Sequence, residues 1–355
     1  MPYSVFHDRL LLRTLRWNEI ENMYSLRNAP RRDLQINGLL DLDGMDFTTF
    51  YRSFRFQKGD LEDLMEALLI PEEVVSAQRV RVSGREALCM TLRRLAYPNR
   101  LCELELFFRR HSSVISSVVS KVLAHIDYYF AHLLADLTVH KWLNLQSLQL
   151  FSQAVHRKGA PLKNCWGFID GTARRICRPS ARQEDCFSGH KRYHALKFQA
   201  LMCANGITCQ LDGPFPGRRH DAGILKETAL YRNLETVTQG RTYVIYGDPA
   251  YPLRPLLYKP SGGASLRPHE VNFNKRMSSV RQAIEWGFGR VVADFAFVDF
   301  YKSQKMTRQR VGRTYKVPTL FLNCRTCMYG SQVSTYFDVT PPTLREYLVP
   351  FEMPA

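Results

Sequence analysis

The chain has 355 residues, of which 45% are hydrophobic and 23% are charged, as in globular proteins with a sizeable core. Its formal net charge is +16. A positive field of that size favours polyanionic partners, nucleic acid first and an anionic membrane second. No stretch approaches eighteen uncharged apolar residues, and charges interrupt the first apolar run. We therefore expect a soluble protein without a signal peptide or a membrane-spanning helix.

The nine cysteines do not form a zinc or disulfide framework. Cys324 and Cys327 are the only CxxC pair, and no second pair follows at zinc-finger spacing. Cys177, Cys186 and His190 could be metal ligands, but the pattern favours loop residues beside an active site. The cysteine pattern favours a reducing, intracellular compartment.

The first 155 residues are predicted to be helical. Residues 1–82 form an N-terminal helical region, with a helix beginning near Asp60. Residues 83–155 contain three predicted helices. The first lies in GREALCMTLRRLAYP and is stopped by Pro98, and the second lies in RLCELELFFRR and is capped by Asn99. The third lies in SVISSVVSKVLAHI. Three such helices indicate either a plain bundle or a helix-turn-helix. In a helix-turn-helix the last helix would present Ser112 and Ser113 to the major groove.

Residues 160–335 change to a strand-like pattern. CWGFID is a short apolar run that ends in Asp170, and a turn is expected at Gly171 and Thr172. YHALKFQALMCANGITCQLDGPFPG predicts a hairpin around Asn205-Gly206. A helix (DAGILKETALYRNL), a buried strand (TYVIYGD) and another helix (SSVRQAIEWGFGRV) follow. This order predicts an α/β domain with a mixed sheet flanked by helices, as in ribonuclease-H-like nucleases, and residues 336–355 would form a C-terminal tail.

Three carboxylates in this domain suit phosphodiester cleavage by two Mg²⁺ ions, which hard oxygen ligands hold. Asp170 would bridge the ions, and Asp248 and Glu285 would each hold one. Asp221 would be a fourth ligand or, alternatively, the N-cap of the helix that follows it. Asp170 and Asp248 could also be ordinary turn residues, and Glu285 a surface acid.

The successive motifs GFIDGT, FSGHKRYHALKFQA, PGRRHDAGIL, YGDPAYPL and FNKRMSSVRQAIEWGFGRV resemble those of the PIF/Harbinger transposase superfamily and the nucleases derived from it. The resemblance covers about Asn164 to Phe297. It implies a DDE nuclease with a ribonuclease-H-like core that cuts DNA with Mg²⁺ or Mn²⁺. Its catalytic acids would be Asp170, Asp248 and Glu285, with Asp221 in the metal-binding set.

The resemblance also implies a nuclear protein that works on DNA beside a Myb-like DNA-binding partner. Cutting two DNA ends would call for a homodimer, and Lys191, Arg192 and Lys197 would contact DNA phosphates. The expected function is therefore a metal-dependent DNA endonuclease of transposase origin. The alternative is a domesticated, non-catalytic DNA-binding adaptor. In the C-terminal segment, VPTLFLNCRTCMYG departs from the Leu-His-Asn run that the family leads us to expect.

Overall fold

The computed structural model describes residues 39–263, 265–306 and 310–351. The prediction for residues 1–38 lies outside the described part of the chain. Within the described ranges, none of the helices combines the length and the apolar character that crossing a membrane requires.

The described part begins with a helical region that contains one small hairpin. Its elements are α1 (Phe47–Phe54), α2 (Leu61–Ala67), β1 (Glu73–Val75), β2 (Arg81–Ser83), α3 (Gly84–Ala96), α4 (Leu101–Phe108), α5 (Ser112–Phe130) and α6 (His132–Ala135). Strands β1 and β2 pair antiparallel.

Helices α3, α4 and α5 occupy the three predicted helical segments. Helix α3 begins after Ser83, whose hydroxyl accepts the N–H of Glu86 at 3.3 Å, and ends at Ala96, two residues before Pro98. The predicted cap at Asn99 was wrong by one residue. Arg100 holds the N-cap position of α4, and its N–H donates to the Glu103 carboxylate at 3.0 Å.

The second region is built on a mixed sheet. Its strands are β3 (Cys165–Arg175), β4 (Phe187–Ser188), β5 (Tyr193–Cys203), β6 (Thr208–Pro216), β7 (Val244–Tyr246) and β8 (Leu257–Tyr258). The central strand β3 runs antiparallel to β5 and parallel to β7. On the outer sides, β6 pairs antiparallel with β5, and β8 pairs parallel with β7. This mixed sheet and the predicted β5–β6 hairpin agree with the sequence analysis.

Helices cover both faces of the sheet. They are α7 (Leu145–Arg157), α8 (Gln183–Cys186), α9 (Asp221–Glu227), α10 (Leu230–Thr238), α11 (Pro268–Asp294), α12 (Val311–Tyr329), α13 (Gln332–Phe337) and α14 (Leu344–Tyr347). Helices α7 and α11 pack against β3, and α12 packs against β6. Trp166, Phe168 and Ile169 of β3 are almost fully buried as a result. A mixed sheet flanked by helices fits a ribonuclease-H-like DDE domain.

The prediction of a turn at Gly171 and Thr172 was wrong. Strand β3 continues to Arg175, with Gly171 opposite Gln199 and Thr172 opposite Phe198 of β5. Buried backbone N–H and C=O groups need hydrogen-bond partners, and the long strand β5 supplies them as far as Arg175. The short apolar run in the sequence does not reveal this partner. Asp170 consequently lies inside a strand, not at its end.

The C-terminal segment is tied into the core despite its departure from the family pattern. Asn323 is 1% exposed. Its side chain accepts the N–H of Thr208 at 3.0 Å and donates to the Thr208 carbonyl at 2.9 Å and to the Tyr347 hydroxyl at 2.7 Å. Asn323 therefore joins α12 to β6 and to α14.

Candidate active site

Asp170 lies in the middle of β3, opposite Ala200 of β5. One carboxylate oxygen, Oδ2, accepts a hydrogen bond from Arg281 Nη1 at 2.9 Å, and the other accepts the N–H of Gly171 at 2.8 Å. Burial raises the pKa of Asp170 more than the Arg281 charge lowers it. The neighbouring Asp248 adds to this rise through like-charge repulsion.

Glu285 approaches from helix α11, one turn after Arg281. Arg281 Nη2 donates to Glu285 Oε1 at 3.1 Å, so one guanidinium joins the carboxylates of Asp170 and Glu285. The Arg281 side chain is 19% exposed and that of Glu285 is 56% exposed. Sequence analysis missed Arg281, although its spacing of four residues from Glu285 in RQAIE already placed both on one helix face.

Asp248 stands two residues after the end of β7. Its carboxylate accepts the N–H of Ala250 at 3.0 Å, which is the turn chemistry considered as an alternative. Burial raises the pKa of Asp248, with a further rise from the charge of Asp221. Asp248 therefore lies near enough to Asp170 and to Asp221 to interact electrostatically with both.

Asp221 is not the N-cap of its helix. It is the first residue of α9, His220 holds the cap position without a side-chain cap, and the predicted helix is divided into α9 and α10. The Asp221 carboxylate pairs with Lys197 Nζ at 3.2 Å. Gly171 permits this approach, since a Cβ at that position would lie 2.8 Å from Asp221 Oδ1.

The side chains of Asp170 and Asp221 lie on opposite faces of β3. Consecutive residues of a strand point to opposite sides of the sheet, and Asp221 packs where the side chain of Gly171 would be. The four predicted acids thus form two ion-paired sets, one with Arg281 and one with Lys197, and Asp248 interacts with both.

The residues predicted to bind DNA occupy three different settings. Lys197 points inward to Asp221 and is 19% exposed. Lys191 and Arg192 are exposed between β4 and β5. In the helical region, Ser112 begins α5 with its N–H donated to Glu105 at 2.6 Å, and the Ser113 hydroxyl lies 2.7 Å from His111 Nδ1.

The chemistry of the acids fits a divalent cation, although their present grouping is loose. Across the described ranges, no three His, Cys, Asp or Glu side chains are grouped closely enough to hold a metal ion. Two of the acids, Asp170 and Asp248, are buried enough that their charged forms are disfavoured. Carboxylate oxygens are the ligands that Mg²⁺ and Mn²⁺ prefer, and such an ion would stabilise the charged forms of both side chains. Arg281 presently supplies part of that positive charge.

Comparison with families of known proteins finds a similarity in the second region of the chain. Residues 169–322 match the model of a family described as DDE superfamily endonuclease. The matched segment contains Asp170, Asp221, Asp248 and Glu285, so this part of the chain is similar to transposase-like DDE endonucleases. Neither the curated proteins nor the solved structures contain a match to the chain.

Proposed function

We propose that the protein is a metal-dependent DNA endonuclease of the PIF/Harbinger type that uses Asp170, Asp248 and Glu285 as its catalytic acids. The observation that supports this most directly is the shared guanidinium of Arg281, which holds Asp170 of β3 beside Glu285 of α11. Asp248 adjoins the same place from the end of β7. All three acids belong to the segment that matches the endonuclease family.

Asp170, Asp248 and Glu285 would hold Mg²⁺ or Mn²⁺, and Asp221, on the other face of β3, would act on this set through its electrostatic interaction with Asp248. When bound, two such ions would supply activation of the attacking water and stabilisation of the charge on the phosphate and on the leaving oxygen. Two basic side chains of the protein have a different role. Lys197 orients Asp221, Arg281 joins Asp170 to Glu285, and both cations add positive charge where a DNA phosphate would approach.

DNA would reach this site along basic surfaces. Lys191 and Arg192 are exposed and would neutralise phosphates beside the catalytic domain. The α3–α5 region would act as a helix-turn-helix, with Ser112 and Ser113 at the start of its last helix. The resemblance of the motifs supports the further proposals of a nuclear location, a Myb-like partner and a homodimer.

Plasmid nicking tests the proposal. The purified protein should convert supercoiled plasmid to the open circle with Mg²⁺ or Mn²⁺, and not with Ca²⁺ or EDTA. Asp170→Asn and Asp248→Ala should each slow nicking by about 100-fold or more, because each removes a metal ligand. DNA binding in EDTA should stay at least as tight, since each change removes a negative charge.

Asp185→Asn is the matched control. Asp185 is 16% exposed, as Asp170 is, and it pairs with arginine residues at 2.6 and 2.8 Å, but it lies outside the predicted acid set. Its loss should leave nicking within about twofold of the parent. Nicking that survives Asp170→Asn unchanged would rule out the assigned acids.

A non-catalytic DNA-binding adaptor is the second candidate. The specific observation in its favour is that Arg281 already neutralises two of the acids, while the described residues include no closed metal-ligand group. DNA binding without nicking under any of the four conditions, with and without a Myb-like partner, would support this candidate over the endonuclease.

A further inference from the structure

A pocket of about 580 Å³ lies between strand β8 with its following loop and the first half of helix α11. We call it the α11–β8 pocket. Residues that shape it are Leu253, Tyr258, Lys259, Pro260, Phe273 and Arg276. Two aromatic rings and two aliphatic side chains therefore line a space that suits a flat, ring-shaped ligand. Tyr258 is 37% exposed and Leu253 is 63% exposed, so this apolar lining is accessible from outside.

The pocket is held in shape by bonds between its two walls. The backbone N–H of Ser261 donates to the Asn274 side chain at 2.9 Å, and the same side chain donates back to the Ser261 carbonyl at 2.9 Å. Phe273 also packs edge-on against Tyr246, with 6.5 Å between the ring centroids. These hydrogen bonds fix the loop against the helix. The pocket is therefore preorganised, which lowers the entropic cost of binding a ligand.

The charge around the pocket is basic. Lys259 Nζ donates to the Pro249 carbonyl at 3.3 Å, and Arg276 Nε donates to the Gly159 carbonyl at 2.9 Å. Over the described ranges, neither cation forms an ion pair with a carboxylate. One acid, Glu270, also lines the pocket, and its charge is already paired with Arg267 at 3.2 Å. An apolar pocket with two cations at its edge is complementary to a ring that carries a phosphate.

The pocket adjoins the proposed catalytic acids. Tyr258 pairs with Tyr246 across β7 and β8, and its carbonyl accepts the N–H of Gly247, the residue before Asp248, at 2.9 Å. Lys259 contacts the residue after Asp248. Along α11, Arg276 precedes Glu285 by nine residues, which corresponds to roughly 13 Å of helix. A DNA strand held at Asp248 would pass the pocket within a few nucleotides.

We propose that the α11–β8 pocket binds one unstacked nucleobase of the bound DNA. Its base would pack against Tyr258 and Phe273, and the neighbouring phosphates would contact Lys259 and Arg276. Stacking on aromatic rings tolerates every base, and a base that has already lost its partner is the easiest to extrude. The placement beside the reacting strand rests on the proposed endonuclease function, whereas the binding of an unpaired base can be tested separately.

The test compares two duplexes that differ only in whether a single 2-aminopurine is paired or bulged. Binding is followed in EDTA by anisotropy and by the fluorescence of 2-aminopurine, which stacking on an aromatic ring quenches. The parent should bind the bulged duplex about tenfold more tightly than the paired one and quench its fluorescence. Equal affinity for the two duplexes would overturn the proposal.

Two variants assign the preference to the pocket. Tyr258→Ala removes one stacking ring, and Leu253→Glu places a negative charge on an exposed position of the lining. Each should reduce the preference to about twofold or less. Tyr128→Ala is the control, because Tyr128 is a 57% exposed tyrosine of α5 outside the pocket, and it should retain the tenfold preference. A preference that persists in both pocket variants contradicts the assignment.

A second measurement needs no variant and therefore does not depend on the folding of Tyr258→Ala. A 5-iodouracil placed at the bulge is irradiated in the complex with the parent protein, and the cross-linked peptide is identified by mass spectrometry. Attachment to Tyr258 or Phe273 supports the pocket, and attachment only elsewhere overturns it.

Nicking assays on the same preparations separate this proposal from the endonuclease. A parent that nicks plasmid with Mg²⁺ but binds both duplexes equally overturns the pocket alone. A parent that never nicks but shows a Tyr258-dependent preference for the bulge supports the pocket as a binding site and overturns the endonuclease alone.

Discussion

Arg281 shares one guanidinium between two carboxylates that come from different elements. Its contacts to Asp170 at 2.9 Å and to Glu285 at 3.1 Å occupy oxygens that the proposed function requires for metal binding. A fixed monovalent cation and a divalent ion repel one another and compete for the same lone pairs. Arg281 should therefore set how tightly the acids hold a metal ion.

Arg281→Gln should bind Mn²⁺ on the order of tenfold more tightly than the parent, because the competing charge is removed while all carboxylates remain. The measurement is a titration of Mn²⁺ followed by electron paramagnetic resonance of the free ion. Its readout is an affinity and does not depend on DNA cleavage.

Arg290→Gln is the control for this measurement. Arg290 lies on the same helix and pairs with Asp294 at 2.9 Å, also four residues away, but Asp294 is outside the predicted acid set. Its replacement should leave Mn²⁺ affinity unchanged. If Arg281→Gln bound Mn²⁺ equally or more weakly, Arg281 would be a support for the site and not a competitor.

Strand β6 shows how an outer strand of the sheet carries a partly buried acid. Asp212 lies opposite Gln199 of β5, and Gln210 Nε2 donates to both of its carboxylate oxygens at 3.0 Å. Burial raises the pKa of Asp212 from 3.8 to about 6, against the opposing effect of the Gln210 hydrogen bonds. The folded protein therefore binds this proton more strongly than the unfolded chain does.

Stability should depend on pH through Asp212. A raised carboxyl pKa stabilises the fold below about pH 4, and that contribution is lost as pH rises through the folded pKa of about 6. The loss by pH 7 should be about 2 to 3 kcal/mol. The side chain introduced by Asp212→Asn cannot ionise. The free energy of unfolding of this variant minus that of the parent should therefore increase by this amount between pH 4 and pH 7.

Urea denaturation at pH 4, 5, 6 and 7 provides these free energies. Asp299→Asn serves as the control, since the Asp299 side chain is 54% exposed, and its curve should run parallel to that of the parent. Parallel curves for the parent and Asp212→Asn would show that Asp212 ionises normally in the folded protein.

At the scale of the whole molecule, the net charge of +16 would make the proposed binding of DNA dependent on salt. Each phosphate that a basic side chain neutralises adds about 0.9 to the magnitude of the negative slope of log affinity against log salt concentration. Lys191 and Arg192 are exposed and would make such contacts, whereas Lys197 is paired with Asp221 and should contribute less to the slope.

The double variant Lys191→Gln, Arg192→Gln should lower the magnitude of the salt slope by about 2. The measurement is fluorescence anisotropy on one duplex between 50 and 200 mM NaCl. A second double variant, Lys163→Gln with Lys226→Gln, removes the same charge from other exposed positions and should leave the slope unchanged. Equal effects of the two double variants would show that net charge alone drives binding.

The sequence by itself determined the type and order of most elements. Helices α3 and α5, the β5–β6 hairpin and the mixed sheet follow from local hydrophobic period and from turn and cap residues, which act over a few positions. The same local patterns pointed to Asp170, Asp248 and Glu285, because glycine and apolar residues flank each acid on the chain.

Only the tertiary structure decided how those residues are arranged. Pairing with β5 extended β3 beyond Asp170, and the alternation of faces along β3 placed Asp221 opposite Asp170 with Lys197 as its partner. Packing of α11 against β3 brought Arg281 between Asp170 and Glu285, which lie 115 residues apart in the chain (285 − 170). The contacts of Asp170 with Arg281 and of Lys197 with Asp221 join separate segments, so no local pattern encodes them.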